Sequence, residues 1–218
     1  MISLTAALFV GGESRRMGAD KAALLVAGEP LWSRQLRTLR ALSPEQMIIS
    51  ARTKPPWCPS DIEVVLDASP ARGPLGGLAV ALEKIRTTHL LALAVDLPLM
   101  TTAHLRWLQS HIRPGCGVMP VWRGRREPLC AIYPVEAVAF AKEALNSDDV
   151  SLNSLAASLR RKKLLCDCPL AEDMMVLYQN VNSPEDFSRF AEMKKSKTEV
   201  RDIICEPASH GERLQGKP

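Results

Sequence analysis

Residues 8–21, LFVGGESRRMGADK, constrain this chain more than any other stretch. The apolar run from Leu4 to Val10 has the character of a buried strand, and it leads directly into Gly11 and Gly12. Arg15, Arg16 and Lys21 follow, with Gly18 among them and Asp20 just before the lysine. Adjacent glycines let backbone amides approach a ligand closely, because no Cβ stands in the way. Amides turned outward beside Arg and Lys make a cradle for phosphate oxygens. A strand ending in such a loop near the N-terminus is where an open α/β sheet receives a nucleotide. The loop is neither of the two commoner phosphate motifs. Lys21 precedes Ala22, not Ser or Thr, and Gly11-Gly12-Glu13 breaks the G-x-G-x-x-G spacing.

The loop resembles the signature of the molybdenum cofactor nucleotidyltransferases, roughly L-A-G-G-x-S-x-R-M-G-x-D-K. It is nearest to the guanylyltransferase branch, which makes molybdopterin guanine dinucleotide. Gly11, Gly12, Ser14, Arg16, Met17, Gly18, Asp20 and Lys21 fall on the pattern, and Val10 stands where the family usually has Ala. The resemblance covers residues 1 to about 192. It implies an α/β chain with a three-layer, Rossmann-like nucleotidyltransferase fold and a mostly parallel central sheet. It also implies transfer of GMP from GTP to molybdopterin or its molybdenum form, with release of pyrophosphate and with Mg2+ as cofactor.

Along the chain, Pro30 suits the start of a helix whose apolar face is Leu31, Leu36, Leu39 and Leu42, with Arg34, Arg37 and Arg40 exposed. Ser43-Pro44 stops it, Met47 to Ser50 reads as a strand, and the proline-rich stretch 52–60 as a loop. Glu63 to Leu66 is a further strand ending at Asp67, and Leu75, Leu78, Leu82 and Ile85 mark the next helix. His89 to Val95 is apolar on both faces, which places it in the middle of a covered sheet. It ends in Asp96-Leu97-Pro98, so the carboxylate of Asp96 falls in the ligand crevice of such a fold. Thr101 or Thr102, not Asp96, is positioned to cap the following helix, read as 102–112. Then come a strand over 117–122, the basic turn Arg123 to Arg126, a strand ending at Tyr133, and helices over 135–145 and 151–159. Short strands are read at 163–166 and 175–178, and Ser183-Pro184-Glu185-Asp186 resembles a capped helix start. The polar stretch 193–218 is read as a disordered tail beyond a single domain over 1–192.

Carried over residue by residue, the resemblance assigns nucleotide contacts to Phe9, Val10, Gly11, Gly12, Ser14, Lys21, Asp67, Gly73 and Asp96. Lys21, Arg16 and Asp96 take the catalytic roles, with Asp96 as the magnesium ligand. Pro74, Leu75, Gly77, Arg125, Asn180 and Asn182 lie toward the second substrate. The sequence departs from the family at Glu127, where His or Gln is usual, and at Ser50-Ala51-Arg52, where an asparagine-containing segment is frequent. The resemblance also implies transient contact with molybdoenzymes or cofactor-insertion proteins. Three other readings stay open: a cytidylyltransferase on the same cofactor, a sugar-phosphate or isoprenoid-phosphate nucleotidyltransferase, and a non-catalytic nucleotide-binding or carrier protein that delivers cofactor to an apo-enzyme.

Composition narrows the rest. A net charge of +4 over 218 residues suits phosphorylated substrates without pointing to nucleic acid. No apolar run is long enough to span a bilayer and no leader precedes the first strand, so a cytoplasmic protein is expected. The six cysteines show no C-x-x-C, and Cys166-x-Cys168 reads as an incidental pair at a strand end. None of the four histidines lies in a motif, and His104 and His111, seven apart, read as surface residues. The absence of a histidine base agrees with the chemistry. A phosphomonoester loses its second proton near pH ~6, so it is already a nucleophile at neutral pH. The reaction needs charge neutralisation and in-line positioning instead.

Overall fold

The computed structural model describes residues 1–11, 21–26, 28–67 and 72–181. Ten strands are found among them: β1 (Leu4–Phe9), β2 (Leu25–Val26), β3 (Glu29–Pro30), β4 (Gln46–Ala51), β5 (Glu63–Leu66), β6 (His89–Ala94), β7 (Gly117–Trp122), β8 (Arg125–Arg126), β9 (Cys130–Pro134) and β10 (Leu165–Pro169). Five helices accompany them: α1 (Leu31–Arg40), α2 (Gly73–Lys84), α3 (Thr102–Gln109), α4 (Ala137–Leu145) and α5 (Leu152–Arg161). Two 3₁₀ segments, Lys21–Ala23 and Glu172–Tyr178, complete the set.

The main sheet runs β10-β7-β9-β6-β1-β4-β5, with β8 paired to β7 and a separate hairpin of β2 and β3. Its β6, β1, β4 and β5 ladders are parallel, as is β7 with β10, while β9 runs antiparallel to both of its neighbours. The sheet is therefore mostly parallel, as expected. The central strands alternate between two cores. Leu4, Ala6, Leu8, Leu91 and Leu93 pack with Leu31, Leu36 and Leu39 of α1 and Leu105 and Leu108 of α3. Ala7, Phe9, Leu90 and Ala92 pack on the other face with α2, α4 and α5. Helices on both faces explain why these strands are apolar at nearly every position, Thr5 and His89 being the buried polar exceptions.

The chain leaves β1 for β4 and β5 on one side, then returns through α2 to lay β6 on the other. The order of strands thus reverses between β1 and β6, and the C-terminal ends of that pair open the crevice where such sheets bind ligands. The Val95 amide donates to the Phe9 carbonyl at 3.0 Å and the Val10 amide to the Ser50 carbonyl at 3.0 Å, which fixes the floor of this crevice.

The expected cap of α3 is found, Thr101 accepting from the His104 amide, and Ser151 caps α5 in the same way by accepting from the Ser154 amide. Several local readings need correction. The third helix ends at Gln109 and not at residue 112, and the fourth begins at Ala137. The strand read at 163–166 is Leu165–Pro169, because Lys163 has φ +60 and turns the chain out of α5 before a strand can begin. The strand read at 175–178 belongs to the 3₁₀ segment Glu172–Tyr178. Its apolar residues Met174, Met175 and Leu177 lie against the core without joining the sheet, whose edge position next to β7 is already filled by β10. His104 is buried rather than a surface residue. Its ring nitrogen Nε2 lies 2.6 Å from the Tyr178 hydroxyl, while His111, beyond the end of α3, is exposed. Arg34 is half-buried and not solvated, since its Nε donates to the Pro98 carbonyl at 2.7 Å. The capping motif at 183–186 and the tail lie outside the described residues.

Candidate active site

Two charged groups meet at the mouth of the crevice. Lys21 Nζ lies 2.9 Å from Asp96 Oδ2, although the two residues are 75 positions apart in sequence. Their side chains are 20% and 24% exposed, so the pair is screened and contributes at most about 1 kcal/mol to stability. Its value is placement, with an ammonium and a carboxylate converging on one point at the end of β6.

The turn that carries Asp96 is held carbonyl by carbonyl. The Val181 amide donates to the Asp96 carbonyl at 3.0 Å. The Gln35 side chain donates to the Leu97 carbonyl, and Arg34 to that of Pro98. Two of these three contacts come from α1 and the third from the segment following Tyr178. Tyr178 is itself held by His104 and packs edge-on to its ring at 5.4 Å between centroids. Burial pushes the His104 imidazole down to about 4, so it is neutral at physiological pH.

A second arrangement sits on the β4–β5 side. The Asp67 amide donates to the Ala51 carbonyl at 3.0 Å, which sets the residue at the end of β5. The Ser50 hydroxyl hydrogen-bonds its carboxylate, and Arg52 lies close by. Burial nevertheless holds the Asp67 carboxyl above the usual range, with Arg52 and Ser50 pulling the other way. The carboxylate lies between two glycines. A Cβ on Gly11 would stand 3.7 Å from Asp67 Oδ2, and one on Gly77 would stand 2.9 Å from Oδ1 and 2.8 Å from Ser50 Oγ. Glycine at 77 is thus what lets α2 pass this close to the Ser50–Asp67 pair. Gly73 opens the same helix at φ +63, a left-handed conformation suited to glycine, with Pro74 in its first turn.

On the β9 side lies Glu127. Burial raises its carboxyl first of all; Arg125 lowers it, and the negative charge of Asp96 raises it further. Arg125 Nε is 3.1 Å from Glu127 Oε1. The other arginines of the basic turn are also paired. Arg123 lies over the Trp122 ring and reaches Glu172, and Arg126 faces Asp167.

The structure therefore brings together Phe9, Val10, Gly11, Lys21, Asp67, Gly77 and Asp96 around the end of the β1–β6 pair. Asn180 adjoins Val181, which is bonded to Asp96, so it too is at this edge. The Leu75 side chain is buried in the α2 core and does not line the crevice. Arg125 is mostly exposed and reaches the site only through Glu127. Gly12, Ser14, Arg16 and Asn182 lie outside the described residues. Sequence reasoning missed Gln35, Tyr178 and the buried role of His104. Gln35 carried a usable signal: it stands between Leu31 and Leu39 at helical spacing, a polar residue on an apolar face.

The MobA-like NTP transferase domain family matches residues 6–164. The chain is 35% identical over 190 residues to a protein of Opitutus terrae named probable molybdenum cofactor guanylyltransferase, covering 86% of this chain and 94% of that one. A protein of the same name from Deinococcus radiodurans is 31% identical over 211 residues, 92% of this chain and 100% of the relative. The crystal structure of molybdopterin-guanine dinucleotide biosynthesis protein A from Archaeoglobus fulgidus superposes with a TM-score of 0.69 at 20% identity, over 88% of this chain and 99% of that one. The 4-diphosphocytidyl-2C-methyl-D-erythritol synthase of Anaerococcus prevotii shares the fold with a TM-score of 0.69 at 10% identity, over 89% and 99% of the two chains. On the family match and the near-full-length relatives together, the chain belongs to the MobA-like NTP transferase domain family.

Proposed function

We propose that the chain transfers GMP from GTP to the terminal phosphate of molybdopterin, or of its molybdenum form, and releases pyrophosphate. The observation that carries this reading is the Lys21–Asp96 pair at 2.9 Å, set at the switch point of the sheet. It is supported by relatives named as guanylyltransferases. Lys21 neutralises charge on the triphosphate, and Arg16 adds to it. Asp96 offers a hard oxygen donor of the kind a divalent ion takes, and its turn is anchored at three carbonyls, so it fits as a Mg2+ ligand. Magnesium bound there would draw charge from the phosphate oxygens of the donor. Gly11 lets the donor approach the end of β1, and Phe9 and Val10 shape the floor.

The Ser50–Asp67 pair accepts from N–H or O–H groups of the nucleoside. Glu127, Arg125, Asn180 and Pro74 lie toward the acceptor, and Gly73, at the start of α2, toward the nucleotide. The acceptor phosphate is ionised at neutral pH, so no residue needs to act as its base. Positioning and charge neutralisation supply the rate. Among the described residues no helix is long and apolar enough to cross a membrane, and we assign the reaction to the cytoplasm.

The test is pyrophosphate release by the purified chain with molybdopterin and Mg2+, offered GTP or CTP. Release with GTP well above that with CTP is expected, and Asp96→Asn should abolish it while leaving the urea unfolding curve in place. A CTP preference would move the chain to cytidylyl transfer. Turnover by Asp96→Asn would remove Asp96 from the metal.

A further inference from the structure

Cys116 and Cys166 are fifty positions apart in sequence, yet their Sγ atoms lie 3.1 Å from one another. Cys116 immediately precedes β7, and Cys166 lies in β10 opposite Val118, so the two sulfurs bridge neighbouring parallel strands. A disulfide bond is about 2.05 Å long, so closure needs an approach of about 1 Å. The pair sits where β7 and β10 begin, at the end of the sheet away from Lys21 and Asp96. Cys166 is exposed and Cys116 half-buried. The other described cysteines differ: Cys130 and Cys168 are buried, and the Cys58 thiol faces the carbonyls of Pro59 and Ile62. Cys166-x-Cys168 is thus not the relevant pair; the partner of Cys166 is Cys116.

We propose that Cys116 and Cys166 form a site of reversible oxidative modification, which closes to a disulfide when a hydroperoxide reaches Cys166. The Cys166 sulfur, as thiolate, attacks one peroxide oxygen and the O–O bond breaks. Cys166 becomes a sulfenic acid, and the departing hydroxide takes up the thiol proton as water. The Cys116 sulfur then attacks the sulfenic sulfur. The S–O bond breaks, and the hydroxide leaves with the Cys116 proton as a second water. Two thiols are oxidised by two electrons in all, and hydrogen peroxide is reduced to two waters. Exposure sets the order of events. Solvent reaches Cys166, whereas burial, with the adjacent Cys166 sulfur, pushes the Cys116 thiol up to about 11. Arg113 beside Cys116 acts in the opposite sense and favours its thiolate as it forms. The product ties β10, bonded among the described residues only to β7, at the end remote from the catalytic groups.

The experiment treats the full-length chain with hydrogen peroxide and titrates thiols in denaturant. The count should fall from the six of the sequence by two and return with dithiothreitol. Peptide mapping without reductant should join the peptides of Cys116 and Cys166. The melting temperature should rise by several degrees, because the bridge restricts the unfolded chain. Cys166→Ser should lose all three effects, and Cys116→Ser should let Cys166 proceed to sulfinic acid. Six thiols after treatment, a bridge between other cysteines, or sulfinic acid on Cys166 in the unmutated chain would each overturn the proposal.

Discussion

Replacing Gly77 by alanine tests whether the Ser50–Asp67 pair reads the nucleotide. The added Cβ would lie 2.8 Å from Ser50 Oγ and 2.9 Å from Asp67 Oδ1, with Phe9 Cε1 at 3.6 Å. Contacts that short require something to move, and overpacking of this kind costs about 1–3 kcal/mol. Alanine in a helix interior returns about 1 kcal/mol over glycine. The net loss of stability is therefore about 0–2 kcal/mol, and the protein stays folded. What moves is the end of a side chain, the carboxylate of Asp67, together with the hydroxyl bonded to it. If that carboxylate holds a donor of the nucleotide, losing a charged hydrogen bond costs about 1.5–3 kcal/mol, or roughly 10- to 100-fold in affinity.

Calorimetric titration with Mg–GTP measures the affinity, and urea unfolding measures the stability. Gly76→Ala is the control on the same helix. Among the described residues its Cβ would meet only the Cβ of Arg72, at 3.2 Å, and stay clear of Asp67. The reasoning requires Gly77→Ala to weaken GTP binding at least tenfold while Gly76→Ala leaves it unchanged. Wild-type affinity in a folded Gly77→Ala protein would take Asp67 out of the nucleotide contact. Equal weakening in both variants would point to a shift of the whole helix instead.

Two further outcomes follow from the same geometry. Lys21→Ala should lower the rate of pyrophosphate release by about 10²–10³, the effect of removing one preorganised donor, with stability changed by no more than about 1 kcal/mol because both partners of the ion pair still touch water; a loss below tenfold would place Lys21 outside the transition state. His104 should make stability pH-dependent: its folded value of about 4 lies below the unfolded value near 6.5, so the unfolded chain alone binds the proton as pH falls through this window. Stability is lost on acidification between about pH 6.5 and 4, by about 3 kcal/mol in all, and the loss levels off below that; urea midpoints across this range should show a correspondingly smaller fall in His104→Gln, and parallel curves would refute the assignment.

The parts of this site that were legible in the sequence share a physical character. Gly11, Asp67 and Asp96 stand just beyond the ends of apolar strands, and a parallel sheet covered on both faces has nowhere to put a glycine or a charge except at those ends, while Lys21 was legible from the basic loop that follows β1. Strand periodicity and turn chemistry are local, so residues near a strand end could be assigned without knowing their neighbours. The contacts that hold Asp96 in place are of another kind. Gln35 reaches Leu97 across 62 positions, and His104 reaches Tyr178 across 74. Neither partner announces itself, since a glutamine on an apolar face or a histidine in a short helix has many uses. The pairing exists only once α1, α3 and the 172–178 segment have been packed onto one side of the sheet. The misreading of residues 175–178 has the same origin. Four consecutive apolar residues suit a strand or a buried turn equally, and what decides between them is that β10 already occupies the edge beside β7. Local pattern thus named the groups proposed to meet the ligand, while the groups that keep them still are set by tertiary packing. A substitution at Gln35 or Tyr178 therefore acts on the reaction only through the turn that carries Asp96.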